Sequence, residues 1–147
     1  MSETKTPSLY VGSFLTSILG GIIPLISDFA GWYNYDAYNK VETRGWIYLS
    51  ADSPGAAAVL IIFALCLFYC TYISYLGLKS AGKLAQQNVR TGLLSACTAF
   101  VIVLLSGLAF TVAMLSDEPT DWWLDTGFYA GFIGSGLTVL FFHLARK

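Results

Sequence analysis

Residues 91–116 read TGLLSACTAFVIVLLSGLAFTVAMLS, 26 residues without one Asp, Glu, Lys or Arg. A helix needs about 20 mostly apolar residues to cross the hydrocarbon core of a bilayer. Three further windows share the property. No charged residue falls in 6–27, 53–78 or 126–145, and each window is rich in Leu, Ile, Val, Phe, Ala and Gly. Lipid offers no water to unpaired backbone groups, so a span must be a helix or a strand of a closed barrel. Barrel strands are short and alternate polar with apolar residues, which these windows do not. The reading is an all-α membrane protein, a four-transmembrane-helix bundle with spans near 9–29, 54–78, 91–115 and 123–145. It occupies residues 1–147 as a single integral membrane domain. Hydrophobic residues make up 56% and charged residues 12% of the 147, well towards the membrane end of the range.

The placement of charge suggests an orientation. Lys5, Lys79, Lys83, Arg90, Arg146 and Lys147 fall at the ends that carry the termini and the middle loop, whereas Lys40 and Arg44 fall in the first loop. Cytoplasmic loops carry the excess of Lys and Arg. The expectation is a multi-pass protein with both termini cytoplasmic. Loops 28–53 and 117–125 then face the opposite side. The first window is too long for a typical cleavable leader, and Asp28 sits where a small residue is wanted, so it reads as a retained helix. Cys66, Cys70 and Cys97 all lie within spans, leaving no loop cysteine for a disulfide framework.

Small residues recur inside the spans. Gly12, Thr16 and Gly20 step through span one, and Gly127, Gly131 and Ser135 step through span four. Such stripes let helices approach closely in lipid, so Gly12, Gly20, Gly127, Gly131 and Ser135 are the expected helix-packing positions. Pro24 follows Gly20-Gly21 and predicts a kink in span one. Asp52-Ser53-Pro54 reads as a capped start to span two. Trp122-Trp123 reads as the interfacial anchor of span four.

The loop DFAGWYNYDAYNKVETRGWIYLSADS, residues 28–53, is the longest and the most aromatic. Residues 32–38 and 41–49 are β-prone, and Asn39-Lys40 between them could turn the chain. This pattern is compatible with a small extracytoplasmic β-hairpin. A hairpin alone is marginal in water, so it is expected to pack on the helix ends or against another chain. Trp32, Tyr35, Tyr38, Trp46 and Tyr48 are the candidate partner-binding residues, since aromatic side chains supply much of the energy at interfaces.

Catalytic chemistry has little to rest on. His143 is the only histidine, which excludes bis-histidine haem ligation within the chain. No charged side chain sits mid-span, where pumps and ion-coupled carriers place one. There is no CxxC motif, no phosphate-cradling glycine loop and no HExxH. Asp28, Asp52, Asp121 and Asp125 could gather at one interface as an oxygen-rich cation site, but solvated loop ends are the simpler expectation. No catalytic residue, metal ligand, cofactor or nucleic-acid partner is expected.

Span two ends in Gly77-Leu78-Lys79, span three carries Leu105-Ser106-Gly107-Leu108-Ala109, and span four opens with Gly127-Phe128-Tyr129. The first loop has Trp32 and a Gly45-Trp46 pair. Together these resemble the claudin-like tetraspan superfamily of claudins, peripheral myelin protein relatives and calcium-channel gamma subunits. The family's two first-loop cysteines are absent, and Gly45 precedes Trp46 directly. The resemblance implies cytoplasmic termini, a four-helix bundle and an extracellular β-sheet built mainly from the first loop. The expected function is that of a non-enzymatic structural, adhesion or assembly component. Its aromatic loop would contact a like subunit or another membrane protein within the lipid bilayer. The alternatives are an accessory subunit of a larger oxidoreductase or transporter complex, or a small channel or membrane enzyme.

Overall fold

A computed structural model of the chain describes residues 5–37, 40–47, 53–81, 83–119 and 121–147. Among these residues are four helices and three strands. In chain order they are α1 (Lys5–Ile26), β1 (Gly31–Ala37), β2 (Lys40–Gly45), α2 (Pro54–Lys79), α3 (Gln86–Asp117), β3 (Asp121–Leu124) and α4 (Thr126–Ala145). The helices run alternately up and down. α1 packs on α2 and α4, and α3 packs on the same two. One end of the bundle carries the strands (the sheet end). The other carries both termini and the α2–α3 turn (the terminal end).

All four helices are long and apolar enough to cross a membrane. Only 28–33% of the most hydrophobic window of each helix is buried within the bundle. The rest presents Leu15, Ile62, Leu65, Leu104, Leu108 and Ile133, among others, to the surroundings. An apolar girdle of this size is far larger than the patches that soluble monomers expose.

The interior holds two apolar clusters. Towards the sheet end, Leu60, Phe63, Leu67, Val103, Phe110 and Met114 surround Phe29 and Ala30. Towards the terminal end, Tyr10, Cys70, Ile73, Val89, Ala96 and Phe142 form the second. Short hydroxyl pairs tie α1 to its neighbours. Ser13 meets Ser74 at 2.6 Å and Ser17 meets Thr71 at 2.8 Å across to α2, while Thr16 meets Thr138 at 2.9 Å on α4. Interhelical bonds of this type contribute about 0.6 kcal/mol each in lipid. Their larger effect here is to set the register of α1 against both partners.

The helix boundaries depart from the hydropathy windows in instructive ways. α1 continues through Pro24 and stops at Ile26, short of position 29. Phe29 and Ala30 instead enter the core as a non-helical connector. α3 starts at Gln86 and ends at Asp117, beyond 91–115 at both ends. Polar residues continue a helix into water as readily as apolar ones do in lipid, so hydropathy marks the slab and not the helix. Glu118 closes α3 with a left-handed φ of 47°. Ser53 occupies the N-cap of α2 and Pro54 its first turn, but the Ser53 side chain makes no capping bond. Asp52 lies outside the described residues.

The expected two-stranded hairpin is corrected to a three-stranded antiparallel sheet in the order β2-β1-β3. Trp122 and Trp123, expected as the interfacial anchor of a span beginning near 123, belong to β3, and α4 begins at Thr126. A third strand relieves the instability of an isolated hairpin, because it pairs the second edge of β1 and ties the sheet to α4.

Candidate interaction surface

The sheet register determines which aromatic residues face inward. β1 pairs with β2 through Trp32↔Gly45, Tyr33↔Arg44 and Tyr35↔Glu42, and with β3 through Trp32↔Trp123 and Tyr33↔Trp122. Side chains alternate along each strand. One face carries Tyr33, Trp46, Trp122 and Leu124, all packed against the sheet-end core. Phe110 of α3 is the anchor beneath them. Its ring meets Trp46 edge-on at 5.7 Å and Trp122 edge-on at 5.9 Å. Gly31 lies in the same contact: a Cβ there would fall 2.5 Å from the Phe110 ring. The other face carries Trp32, Asn34 and Trp123, with Thr43 donating to Asn34 Oδ1 at 2.7 Å.

Two aspartates clasp the sheet to the helices. Asp28 follows α1 and is almost fully buried. Its Oδ1 accepts the N–H groups of Ala30 at 2.9 Å and Gly31 at 2.7 Å, turning the chain from helix into strand. Asp125 stands at the N-cap of α4 but does not cap it. Its Oδ2 accepts the Asp28 N–H at 3.1 Å and the Trp32 indole N–H at 2.9 Å. One carboxylate therefore joins the end of α1, the start of β1 and the start of α4. Phe29 N–H donates to the Ile47 carbonyl at 2.7 Å, which brings the chain after β2 into the same junction.

Among the described residues Asp28 Oδ2 is buried without a well-formed hydrogen bond, with the Ile47 N–H the further backbone donor near the carboxyl. Burial pushes the Asp28 carboxyl up to about 6, against the backbone N–H groups that lower it, and the nearby Asp125 carboxylate raises it further. Asp121 takes no part in this junction. It sits at the other end of β3, opposite Asn34, and accepts the Trp122 N–H. The four-aspartate grouping considered from sequence is thus reduced, among the described residues, to the pair Asp28 and Asp125, each occupied by backbone or indole donors.

The candidate aromatic residues occupy different environments. Trp46 is part of the sheet-end core. Trp32 is half-buried and held by Asp125. Tyr35 is 51% exposed at the rim. Tyr38 and Tyr48 lie outside the described residues. Trp123, at 41% exposure, and Val41, at 60%, extend the exposed surface. An open pocket of about 380 Å³ beneath the rim is lined by Tyr33, Tyr35, Arg44, Asp117 and Pro119. Arg44 pairs with Glu42 at 2.8 Å, and this bond holds its guanidinium above the usual arginine range.

The small-residue positions all meet a neighbour. Gly12 faces the Phe141 ring, Gly131 lies against Phe63 and Val103, and Gly127 adjoins the Asp28 backbone carbonyl and the Ser27 hydroxyl. Gly20 packs against Gly134, where a Cβ on either would fall within 3.0 Å of the other's Cα. Ser135 is buried, and its hydroxyl donates to the Gly131 carbonyl at 2.6 Å. Gly134 lies outside the stripe read from sequence. Its partnership with Gly20 depends on the crossing of α1 and α4, which spacing within one helix does not reveal. The sequence groups Asp28 and Asp125 with Asp52 and Asp121 at one interface, but the hydrogen bond that joins the pair, 97 positions apart, has no signal in it.

No family model matches the chain, and neither does any curated protein or solved structure.

Proposed function

We propose that this chain is a non-enzymatic, multi-pass membrane protein that associates with a like subunit or another membrane protein through the exposed part of its sheet. The observation that carries this reading is a contrast between the sheet end and the spans. Trp32, Val41 and Trp123 share one accessible face of a sheet clasped to the bundle, and Tyr35 is exposed at the rim of the opposite face. The spans hold no charged side chain, and their interior is filled by residues such as Phe63, Leu67 and Val103. Rigid aromatic residues on a fixed scaffold bind at low entropic cost. The free edge of β2, with Lys40 to Arg44 all exposed, offers a second element for pairing with an extended chain.

The orientation follows from the six basic residues at the terminal end against two in the first loop. The termini are cytoplasmic and the sheet lies outside. The bundle topped by a small antiparallel sheet supports keeping the claudin-like resemblance as a proposal about architecture. The accessory-subunit reading draws support from a different feature. An apolar groove of about 280 Å³ runs along α1 and α4, lined by Gly20, Ala130, Gly134 and neighbouring apolar residues, and could receive a helix of a larger complex.

Cross-linking in native membranes at matched expression tests the main reading. The double variant Tyr35→Ala, Trp123→Ala should lose most of its cross-linked assemblies while keeping its helical content. Undiminished assembly would remove the sheet as the contact surface. Loss of assembly only in an Ile133→Ala, Leu137→Ala variant, whose side chains line the groove from its exposed side, would favour the groove and the accessory-subunit reading.

A further inference from the structure

At the terminal end, α3 and α4 enclose an open pocket of about 670 Å³, lined by Gln86, Gln87, Arg90, Thr91, Leu94 and Arg146. The two arginines come from different helices, 56 positions apart in sequence. Among the described residues the salt bridge joins Arg44 and Glu42 at the other end, and no carboxylate lines the pocket. Two guanidiniums with amide and hydroxyl groups beside them form a donor-rich concavity. Planar guanidinium forks match the oxygens of a phosphate group. Gln86 and Gln87 also open α3, where first-turn N–H groups add partial positive charge.

The apolar surface below the pocket indicates the source of the phosphate. Leu94, one turn after Arg90, is 62% exposed, and Val101, Leu105 and Leu108 continue an exposed apolar surface along α3. A soluble phosphate would use only the head of this site. A phospholipid would place its phosphate at the arginines and its acyl chain along that helix. We propose that the Arg90–Arg146 pocket binds the phosphate of an anionic membrane phospholipid, with the lipid chain lying along the Leu94 face of α3. The site is separate from the sheet surface. It rests on the membrane reading alone, which alkaline carbonate extraction of membranes tests without reference to either arginine.

The test uses the full chain in mild detergent and native mass spectrometry of lipid adducts. Dioleoyl phosphatidylglycerol and dioleoyl phosphatidylcholine are compared at equal concentration. Phosphatidylglycerol should bind more tightly. Arg90→Gln and Arg146→Gln should each weaken it about tenfold, the factor expected when one charge-assisted hydrogen bond is lost. Lys83→Gln, outside the pocket, should change it less than about twofold. Equal binding of the two lipids overturns the proposal. An equal loss in the Lys83 variant also overturns it, because the attraction would then be diffuse charge. Inorganic phosphate in excess provides a third arm. If it displaces the lipid and binds with the same arginine dependence, the site belongs to soluble phosphate and the lipid assignment falls. A photoreactive-headgroup phosphatidylglycerol, cross-linked to the parent chain, needs no variant. Adducts should map to residues 86–94 and to Arg146, and adducts confined to the sheet end overturn the assignment.

Discussion

Asp28 is a buried carboxyl whose second oxygen has no well-formed hydrogen bond among the described residues, and its ionisation should be visible in stability. Burial raises its folded-state value to about 6, from an ordinary 3.8. A raised carboxyl binds its proton more tightly in the folded protein. Its contribution is fully present below pH 3.8 and is lost as pH rises through 6. The shift corresponds to about 3 kcal/mol. Asn at this position keeps an oxygen for Ala30 and Gly31 and carries no charge. Asp28→Asn should therefore be more stable than the parent at pH 7, with the advantage shrinking towards pH 4. Thermal unfolding followed by tryptophan fluorescence checks this, and a difference independent of pH would show that the carboxyl is not strained by burial. Trp32 supplies a second prediction at this scale. Trp32→Phe keeps the ring but removes the N–H that Asp125 accepts. A hydrogen bond to a charged group contributes about 1.5–3 kcal/mol, so the unfolding midpoint should fall accordingly. The same variant in an Asp125→Asn background should cost less, because the charge on the acceptor is already gone.

The helices are held by different contacts at different glycines, and the geometry ranks them. A Cβ on Gly134 would lie 2.7 Å from the Gly20 Cα, backbone against backbone. A Cβ on Gly131 would lie 3.0 Å from a Phe63 ring atom, which can turn slightly. On Gly55 the nearest atom within range is Ser53 Oγ at 3.9 Å. Gly134→Ala should therefore destabilise the bundle by about 1–3 kcal/mol, Gly131→Ala by less, and Gly55→Ala should stabilise slightly through helix propensity. Gly131→Leu, with three more carbons to place against Phe63 and Val103, should be far worse than Gly131→Ala. Detergent melting of the four variants checks the order, and equal effects at 134 and 55 would mean that α1 and α4 do not cross at Gly20. The sheet elements show the same dependence on contact. Trp46 and Trp122 share Phe110 as their platform, so alanine at any of the three should loosen the sheet without removing the helices.

For the whole molecule, the test concerns sidedness. With the basic residues gathered at the terminal end, an impermeant thiol reagent applied outside should label a cysteine placed at position 36 and spare one placed at position 83. A background lacking Cys66, Cys70 and Cys97 makes the comparison clean. Labelling of 83 but not 36 would invert the proposed orientation and, with it, the leaflet facing Arg90 and Arg146.

Hydropathy is local and additive, so the four helices were legible from residues 6–27, 53–78, 91–116 and 126–145 taken one at a time. Small residues at four-residue steps likewise marked Gly12, Gly20 and Gly131, where a Cβ would meet another helix, and Ser135, which is buried. What only the tertiary structure decided required two distant segments at once. DWWL reads as a membrane-interface anchor until β1 supplies its missing partner, about 90 residues earlier, and makes it a strand. Asp125 reads as a solvated loop end until Asp28 and Trp32 bring their N–H groups to it. Trp46 and Tyr35 are indistinguishable as loop aromatics until the fold sets one over Phe110 and leaves the other exposed towards the β1–β2 turn. A strand has no internal hydrogen bonds and a clasp has no internal periodicity. Their energy lies in pairs, and a pair is decided by where the helices bring the two halves together.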